Sequence, residues 1–541
     1  MKAADILAKG GHLTLAQTPD GLDALALADT ARAMAARLRD RPAALVHIAR
    51  DGPRSAAMEA ALGFFGPEIE VLSFPAWDCQ PYDRVSPNAA VVARRMTTLA
   101  RLATTRGGDR PRIVLTTVNA ATQRVPARSL MVDQALSFAP GNALSMDRLA
   151  GWLENNGFLR TSTVRETGEY AVRGGILDLH PPGLPLPIRL DFFGDTVESI
   201  RAFDPETQRT ASQLRFVDLV PMSEVQLTTE TIRRFRQAYL TLFGAQTRGD
   251  ALYDAISEGR RFAGLEHWLP LFHEKLDTLF DYCADVPIAL DPRAEDAAGE
   301  RFALIQDHFE ARREGMERPG EGAAYKPLTP DRLYLKPTEW HDRISAASVM
   351  RVSPFSTPDS ADRSQVDLGG KIGRSFAAER AMDDVNVFDV VVRHARERMT
   401  AGKRVLFAGW TEGSRDRLAG VLSDHGLTQA KVVRDFAAAM ALPKSDVALA
   451  VLPVEQGFET NDLVVISEQD VLGDRLVRRS TRRKRAQDFL TEVAALSPGD
   501  VVVHVDHGIG RFVGLKTVTA AGAPHDCLEL HYAGGDKLFL P

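Results

Sequence analysis

The sequence predicts an α/β protein of several domains, and three patterns carry that prediction. Apolar, strand-like runs alternate with helical stretches from Leu22 to Thr117. Consecutive strands separated by turn residues then occupy Tyr170 to Met222, and short strands with glycine turns begin at Gly499. A single hydrophobic core stops growing at about 250–300 residues, so a chain of 541 residues divides into several.

From Leu22 to Leu38 apolar residues recur at helical spacing, and Ala43 to Ile48 forms a continuous apolar run of the buried-strand type. Ala56 to Phe65 reads as helix, Ile69 to Phe74 as strand, Val91 to Leu102 as helix and Arg112 to Thr117 as strand. This β-α-β-α order belongs to a parallel sheet of the nucleotide-binding type. The phosphate loop of such a sheet would lie at Ala49-Arg50-Asp51-Gly52-Pro53-Arg54-Ser55. A working loop offers glycine amides to phosphate and a lysine to its terminal oxygens; here a proline removes an amide and the lysine is absent. The domain therefore reads as a degenerate RecA-like (P-loop-type) α/β domain over residues 1–135, resuming over 226–350, where helix and strand signals return between Leu271 and Phe309. Farther on, Leu463 to Asp470 resembles a strand ending in a magnesium-holding acidic pair, but with no phosphate loop to serve it reads as an ordinary strand end.

Residues 136–225 form an inserted antiparallel β domain, with strands at Tyr170–Leu179, Ile188–Phe193 and Val197–Phe203 separated by Pro181-Pro182-Gly183 and Gly194-Asp195 turns. Side chains alternate along a strand, so Ile188, Leu190 and Phe192 share one face while Arg189, Asp191 and Phe193 share the other. With the apolar triple turned inward, Phe193 is left outside beside Arg189, and Arg173 on the preceding strand is able to join them. An exposed aromatic flanked by arginine has the composition of a binding hot spot. The competing reading has Phe193 covering a second layer of the domain, with Arg189 and Asp191 merely paired across strands.

Residues 351–374, rich in Ser, Pro, Asp and Gly, read as a linker. A second, smaller α/β domain follows over 375–475, with helices at Phe388–Met399 and Ser414–Asp424 and strands at Arg404–Ala408 and Val447–Val451; its expected role is scaffold. Residues 476–497 read as a basic linker helix. Arg478, Arg479, Arg482 and Arg483 in it are either a solvated helix face or a row of DNA-phosphate contacts. Over 498–541, Val501-Val503-Val505 and Leu528-Leu530-Tyr532 alternate with polar residues, the pattern of a small Tudor/SH3-like β-barrel used as a docking surface. The strand pattern still runs at Pro541, which reads as a chain cut within this module. His504, Asp506, His507, His525, Asp526 and His531 scatter between strand faces, so no metal site is expected there.

Composition narrows the function classes. With 44% hydrophobic and 26% charged residues the chain has an ordinary globular composition, and a net charge of −6 excludes a global nucleic-acid footprint. The three cysteines are too widely separated for a C-x-x-C motif, and no apolar run approaches the roughly 20 residues of a membrane span. A cytoplasmic monomer that does not contact membrane is the expectation.

Three further segments carry a family resemblance: Phe74-Pro75-Ala76-Trp77-Asp78-Cys79-Gln80-Pro81-Tyr82-Asp83-Arg84-Val85-Ser86-Pro87, Gly168 to Leu179, and Arg189 to Asp195. In order and spacing they resemble the amino-terminal half of the bacterial transcription-repair coupling factors. The first 340 or so residues resemble the region shared with the excision-repair protein UvrB, and Val501 to Pro541 resemble the CarD-like polymerase-interacting domain. The resemblance implies transcription-coupled nucleotide excision repair, in which the meander recruits UvrA through Arg173, Arg189 and Phe193. It implies that the terminal module grips the RNA polymerase β subunit through an exposed loop around Leu515, Lys516 and Val518. Double-stranded DNA upstream of the stalled polymerase is a further implied partner. ATP and magnesium belong to a family motor that follows this region, so the chain itself is expected to be an adaptor without cofactor or ATPase activity. The segment from Trp77 to Asn88 leaves no room for the long hairpin of UvrB. That departure and the degraded loop weigh against the alternative of a UvrB-like damage-recognition ATPase. A regulator that binds polymerase alone is the third reading.

Overall fold

A computed structural model describes residues 2–38, 40–104, 110–244, 250–317, 325–356, 364–382, 384–473, 499, 501–504, 508–520, 523–532 and 535–540. Its first unit is a seven-stranded sheet in the order Ser364–Asp367, His12–Ala16, Val349–Val352, Ile288–Leu290, Leu45–Ala49, Arg112–Thr117 and Glu70–Phe74. Every neighbouring pair runs parallel. Parallel strands need both faces covered, and the central ones are buried throughout. Leu45, Ile113 and Leu115 point toward Leu27, Met58 and Leu62 of the Leu22–Ala35 and Gly52–Phe65 helices. Val46, Ile48 and Val114 point the other way, into Met96 and Leu99 of the Ala89–Thr104 helix and Ala294 and Ala298 of the Ala294–Glu317 helix.

Between Arg112–Thr117 and Ile288–Leu290 the chain leaves this sheet and builds a six-stranded one, ordered Thr210–Gln213, Thr196–Phe203, Ile188–Phe193, Ile176–Leu179, Glu169–Arg173 and Leu159–Arg160. The Tyr170–Leu179 stretch, expected as one strand, is a hairpin. Gly174 turns it at φ 59°, in the left-handed region where a side chain would be strained. One face of this sheet packs Leu177, Leu179, Ile188, Leu190, Val197 and Ile200 against Leu149 and Leu153 of the Met146–Asn155 helix. The insertion is pinned to the first unit by Glu224, whose carboxylate accepts from Arg95 Nε at 2.6 Å and Trp77 Nε1 at 3.0 Å, with the Arg95 and Glu224 side chains fully buried.

The described part of the stretch expected as a linker contains the end of the Val349–Val352 strand and two further strands. Ser364–Asp367 adds an edge to the seven-stranded sheet, and Lys371–Ile372 pairs with Phe458–Glu459 of the next one. That next sheet has the order Lys371–Ile372, Phe458–Glu459, Leu463–Ser467, Arg404–Gly409, Val447–Val451 and Ala430–Val432, parallel through its centre. The terminal strands Val501–His504, Gly508–Ala520, Ala523–Tyr532 and Lys537–Leu540 form an open antiparallel meander over a small cluster of Phe512, Leu528 and Leu530. No barrel closes among the described residues, because the first and last strands occupy opposite edges. The region from Leu515 to Ala520, expected as an exposed loop, is strand, paired in register with Ala523–Leu528. Among the described residues no helix is long and apolar enough to cross a membrane.

Candidate protein-docking site on the inserted sheet

The Ile188–Phe193 strand alternates as its sequence dictates: Ile188 and Leu190 are buried, Phe192 packs at the margin of the core, and Phe193 is 81% exposed. The pairing with Thr196–Phe203 shifts register between Asp191 and Phe192, leaving Phe193 opposite Thr196 at the hairpin end. A bare phenylalanine of this size at a rigid hairpin end offers apolar area with little ordering cost to a partner.

The two arginines behave differently from each other. Arg189, expected at the surface, retains 19% side-chain exposure and is held by Asp178, donating from Nε to Oδ1 at 2.7 Å and from Nη2 to Oδ2 at 2.8 Å. Its guanidinium stacks 4.8 Å from the centroid of the Phe203 ring. The reason is register: Asp178 and Arg189 are direct cross-strand partners, and a two-pronged guanidinium–carboxylate pair is the strong form of such a contact. These hydrogen bonds with Asp178 raise the Arg189 pKa above its ordinary value. Arg173 remains 53% exposed, with Nη2 at 3.5 Å from the same Asp178 carboxylate. Asp191 does not pair with Arg189. It accepts from Arg201 Nη2 at 2.7 Å, and from the Ser199 hydroxyl.

Arg173, Arg189 and Phe193 thus share one sheet face, as read from alternation, but Asp178 and Phe203 were missed. The signal for Asp178 was present: in Ile176-Leu177-Asp178-Leu179 it alternates onto the polar face while Leu177 and Leu179 face the core. Nothing in local sequence announced that Arg189 would choose Asp178 over the nearer Asp191.

The Ala49 to Ser55 segment, compared above with a phosphate loop, is engaged by side chains of the chain itself. Asp51 caps the Gly52–Phe65 helix by accepting from Arg54 N at 2.8 Å. The Arg54 side chain, 7% exposed, donates from Nε to Asp291 Oδ1 at 2.8 Å and also bonds Asp23. Arg50 reaches the other Asp291 oxygen at 3.0 Å. Burial opposes charge on Arg54, yet Asp23 and Asp291 hold its pKa above the ordinary value; burial pushes the Asp23 carboxyl up to about 6. Arg54 Nη2 also lies 3.5 Å from Asp20 Oδ1, so the carboxylates of Asp20, Asp23, Asp51 and Asp291 gather with the Arg50 and Arg54 guanidinia around this helix N-terminus. The acidic pair beyond Leu463–Ser467 is likewise consumed internally: Asp470 Oδ2 accepts from Gly457 N and Ser467 N at 2.8 and 2.9 Å, and Glu468 takes Arg417.

On the terminal sheet, Lys516 is exposed with its ammonium 5.6 Å from the Phe539 ring centroid, and Val518 is half-buried opposite His525. Leu515 pairs with Leu528 through the backbone. Arg478, Arg479, Arg482 and Arg483 lie outside the described residues. Among the described residues no group of His, Cys, Asp and Glu is arranged to hold a metal.

Three family models match this chain: the UvrB interaction domain over residues 136–225, the MFD D3 domain over 399–471, and the CarD-like/TRCF RID domain over 496–541. The chain is similar to the transcription-repair-coupling factor of Myxococcus xanthus, 33% identical over 533 residues, which covers 92% of this chain and 42% of that protein. The Escherichia coli K12 factor is 30% identical over 486 residues, 87% of this chain and 40% of its own length. The Rickettsia conorii factor is 29% identical over 479 residues, covering 88% and 41%. The chain therefore spans about two fifths of the length of these curated relatives.

Proposed function

We propose that this chain, which belongs to the transcription-repair-coupling factor family, is a two-ended adaptor of transcription-coupled nucleotide excision repair. Its inserted sheet captures UvrA and its terminal sheet holds the β subunit of RNA polymerase. The observation that carries the reading is Phe193: a ring 81% exposed, on the same face as Arg173, within the region matched by the UvrB interaction domain model. Arg189 belongs to the same surface, and Lys516 and Val518 present the contact face toward polymerase, with Leu515 on the same strand. The first unit acts as a degenerate RecA-like scaffold in the cytoplasm as a monomer, with no nucleotide or metal cofactor. The bonding of Arg54 to Asp23 and Asp291 at the N-terminus of the Gly52–Phe65 helix supports that reading. Contact with duplex DNA upstream of polymerase, through Arg478, Arg479, Arg482 and Arg483, completes the reading.

Phe193→Ala is expected to weaken binding of purified UvrA by about 30-fold, roughly 2 kcal/mol, the scale of a central hot spot. Calorimetric titration of UvrA into wild-type and variant chains reads it out. Equal affinities would remove Phe193, and with it the assignment of this face.

A further inference from the structure

The sheet face around Phe193 contains a carboxylate that touches both arginines and is itself only 2% exposed. We infer that Asp178 is a positioning residue of the docking surface: it acts on the partner through Arg173 and Arg189, and touches no partner atom. This rests on the UvrA reading above and sharpens it by separating contact from support.

Asp178 lies in the row Ala171, Asp178, Arg189, Arg201 that runs across four strands. It is flanked by Arg189, which fills both oxygens, and approached at its outer edge by Arg173. Below, Phe203 supports the Arg189 guanidinium and closes a small cluster with Val164 and Ala171. Arg189 is therefore fixed on three sides, by Asp178, by the ring and by its own strand, and presents little of itself outward. Among the described residues Arg173 is anchored by Asp178 alone, at 3.5 Å, and it presents half its side chain to solvent. A flexible arginine loses rotamer freedom when it binds; one already drawn toward a fixed carboxylate loses less. Because two cations share one anion, this cluster carries a single net positive charge.

That charge balance gives a test whose sign separates positioning from simple attraction. Asp178→Asn keeps the side-chain shape and doubles the net positive charge of the cluster. If the arginines worked only by attracting an acidic partner, the variant would bind UvrA faster and more tightly. If Asp178 positions them, binding weakens in spite of the added charge, through a faster dissociation rate at an undiminished association rate. Surface plasmon resonance with immobilised UvrA is run on the wild-type chain and on Phe193→Ala, Arg173→Ala, Asp178→Asn and Arg189→Lys. The Asp178→Asn/Arg173→Ala double variant completes the set.

The expected result is a dissociation rate about tenfold faster for Asp178→Asn. Arg189→Lys, which keeps the charge and loses the two-pronged geometry, changes in the same direction. The effect of Asp178→Asn shrinks when Arg173 is already alanine, the mark of residues that act through one another. Because Arg189→Lys leaves Asp178 intact, it keeps the inference open to refutation even where the buried asparagine disturbs folding. Wild-type affinity in both Asp178→Asn and Arg189→Lys, beside weakened binding in Phe193→Ala, overturns the positioning role while leaving the docking surface in place. Tighter binding by Asp178→Asn overturns it in favour of bare attraction. Failure of the wild-type chain to bind UvrA removes the reading itself.

Discussion

Arg54 shows how one residue ties a helix terminus to acids far away in sequence. Its guanidinium is held by Asp23 and Asp291, which are buried with it. Removing one member of a buried ion network strands the others, at a cost of about 3–5 kcal/mol, whereas the intact network contributes little net stability. Arg54→Ala is thus expected to destabilise the first unit by roughly 3 kcal/mol and to leave the chain without affinity for ATP. Urea unfolding followed by tryptophan emission checks the first half, and the absence of any nucleotide-induced thermal shift checks the second. At this scale the sequence was half legible. The missing lysine and the proline were visible in Ala49 to Ser55, but the acids that bond the Arg54 side chain are Asp20, Asp23 and Asp291, and no local pattern links positions so far apart. Phe193 was legible for the opposite reason, since alternation along one short strand suffices to turn it outward.

Elements were legible where hydrophobic period alone specifies them. The Arg112–Thr117, Ile188–Phe193 and Val447–Val451 strands have the bounds that their apolar pattern gives. Elements set by partners were not. The Ser364–Asp367 strand is polar and half exposed, and is strand only because His12–Ala16 offers it an edge; Leu515 to Ala520 is strand because Ala523–Leu528 pairs with it. Tertiary context overrides such weak local preference. One buried strand also carries a pH-sensitive group. His47, in the middle of Leu45–Ala49, is fully buried; burial first, and the nearby Arg54 second, push its pKa down to about 3. The unfolded chain binds a proton near pH 6.5 and the folded one does not until far lower, so the unfolded state gains protons first as pH falls. The stabilisation is full above about pH 6.5 and is lost progressively toward pH 3. Between pH 6.5 and 5 this single histidine removes about 2 kcal/mol, and His47→Gln is expected to flatten that part of the profile. Urea midpoints of both proteins at pH 7.5, 6.5 and 5 give the comparison; parallel profiles would show that His47 is not the titrating group.

The whole molecule is organised by a core that crosses a domain boundary drawn in sequence. Leu15, Leu22 and Leu62 of the first unit share one continuous cluster with Leu406, Ala450, Val454 and Phe458 of the second α/β sheet. Phe436 enters it from the second sheet's side, with its ring 5.2 Å from Phe65 and 6.3 Å from Phe64. Gly21, at φ 89°, allows the chain to pass so close to the Phe458 ring that an added Cβ would lie 3.1 Å from it. An apolar interface of this kind couples two sheets into one cooperative unit, whereas polar, loosely packed domain contacts permit relative motion. The second α/β sheet is thereby packed onto the unit from which the inserted sheet departs. Truncating Phe436 to alanine removes a half-buried ring, costing about 2 kcal/mol, and removes it from the interface and not from either sheet's own centre. Native-state hydrogen exchange is the appropriate measurement. In the wild-type chain the amides of Leu45–Ala49 and Arg404–Gly409 are expected to open with the same free energy and the same denaturant dependence. In Phe436→Ala the two strands are expected to separate, each exchanging through its own opening. Separate openings already present in the wild-type chain would mean that the shared cluster does not couple the sheets, and that the second α/β unit moves independently of the docking surface.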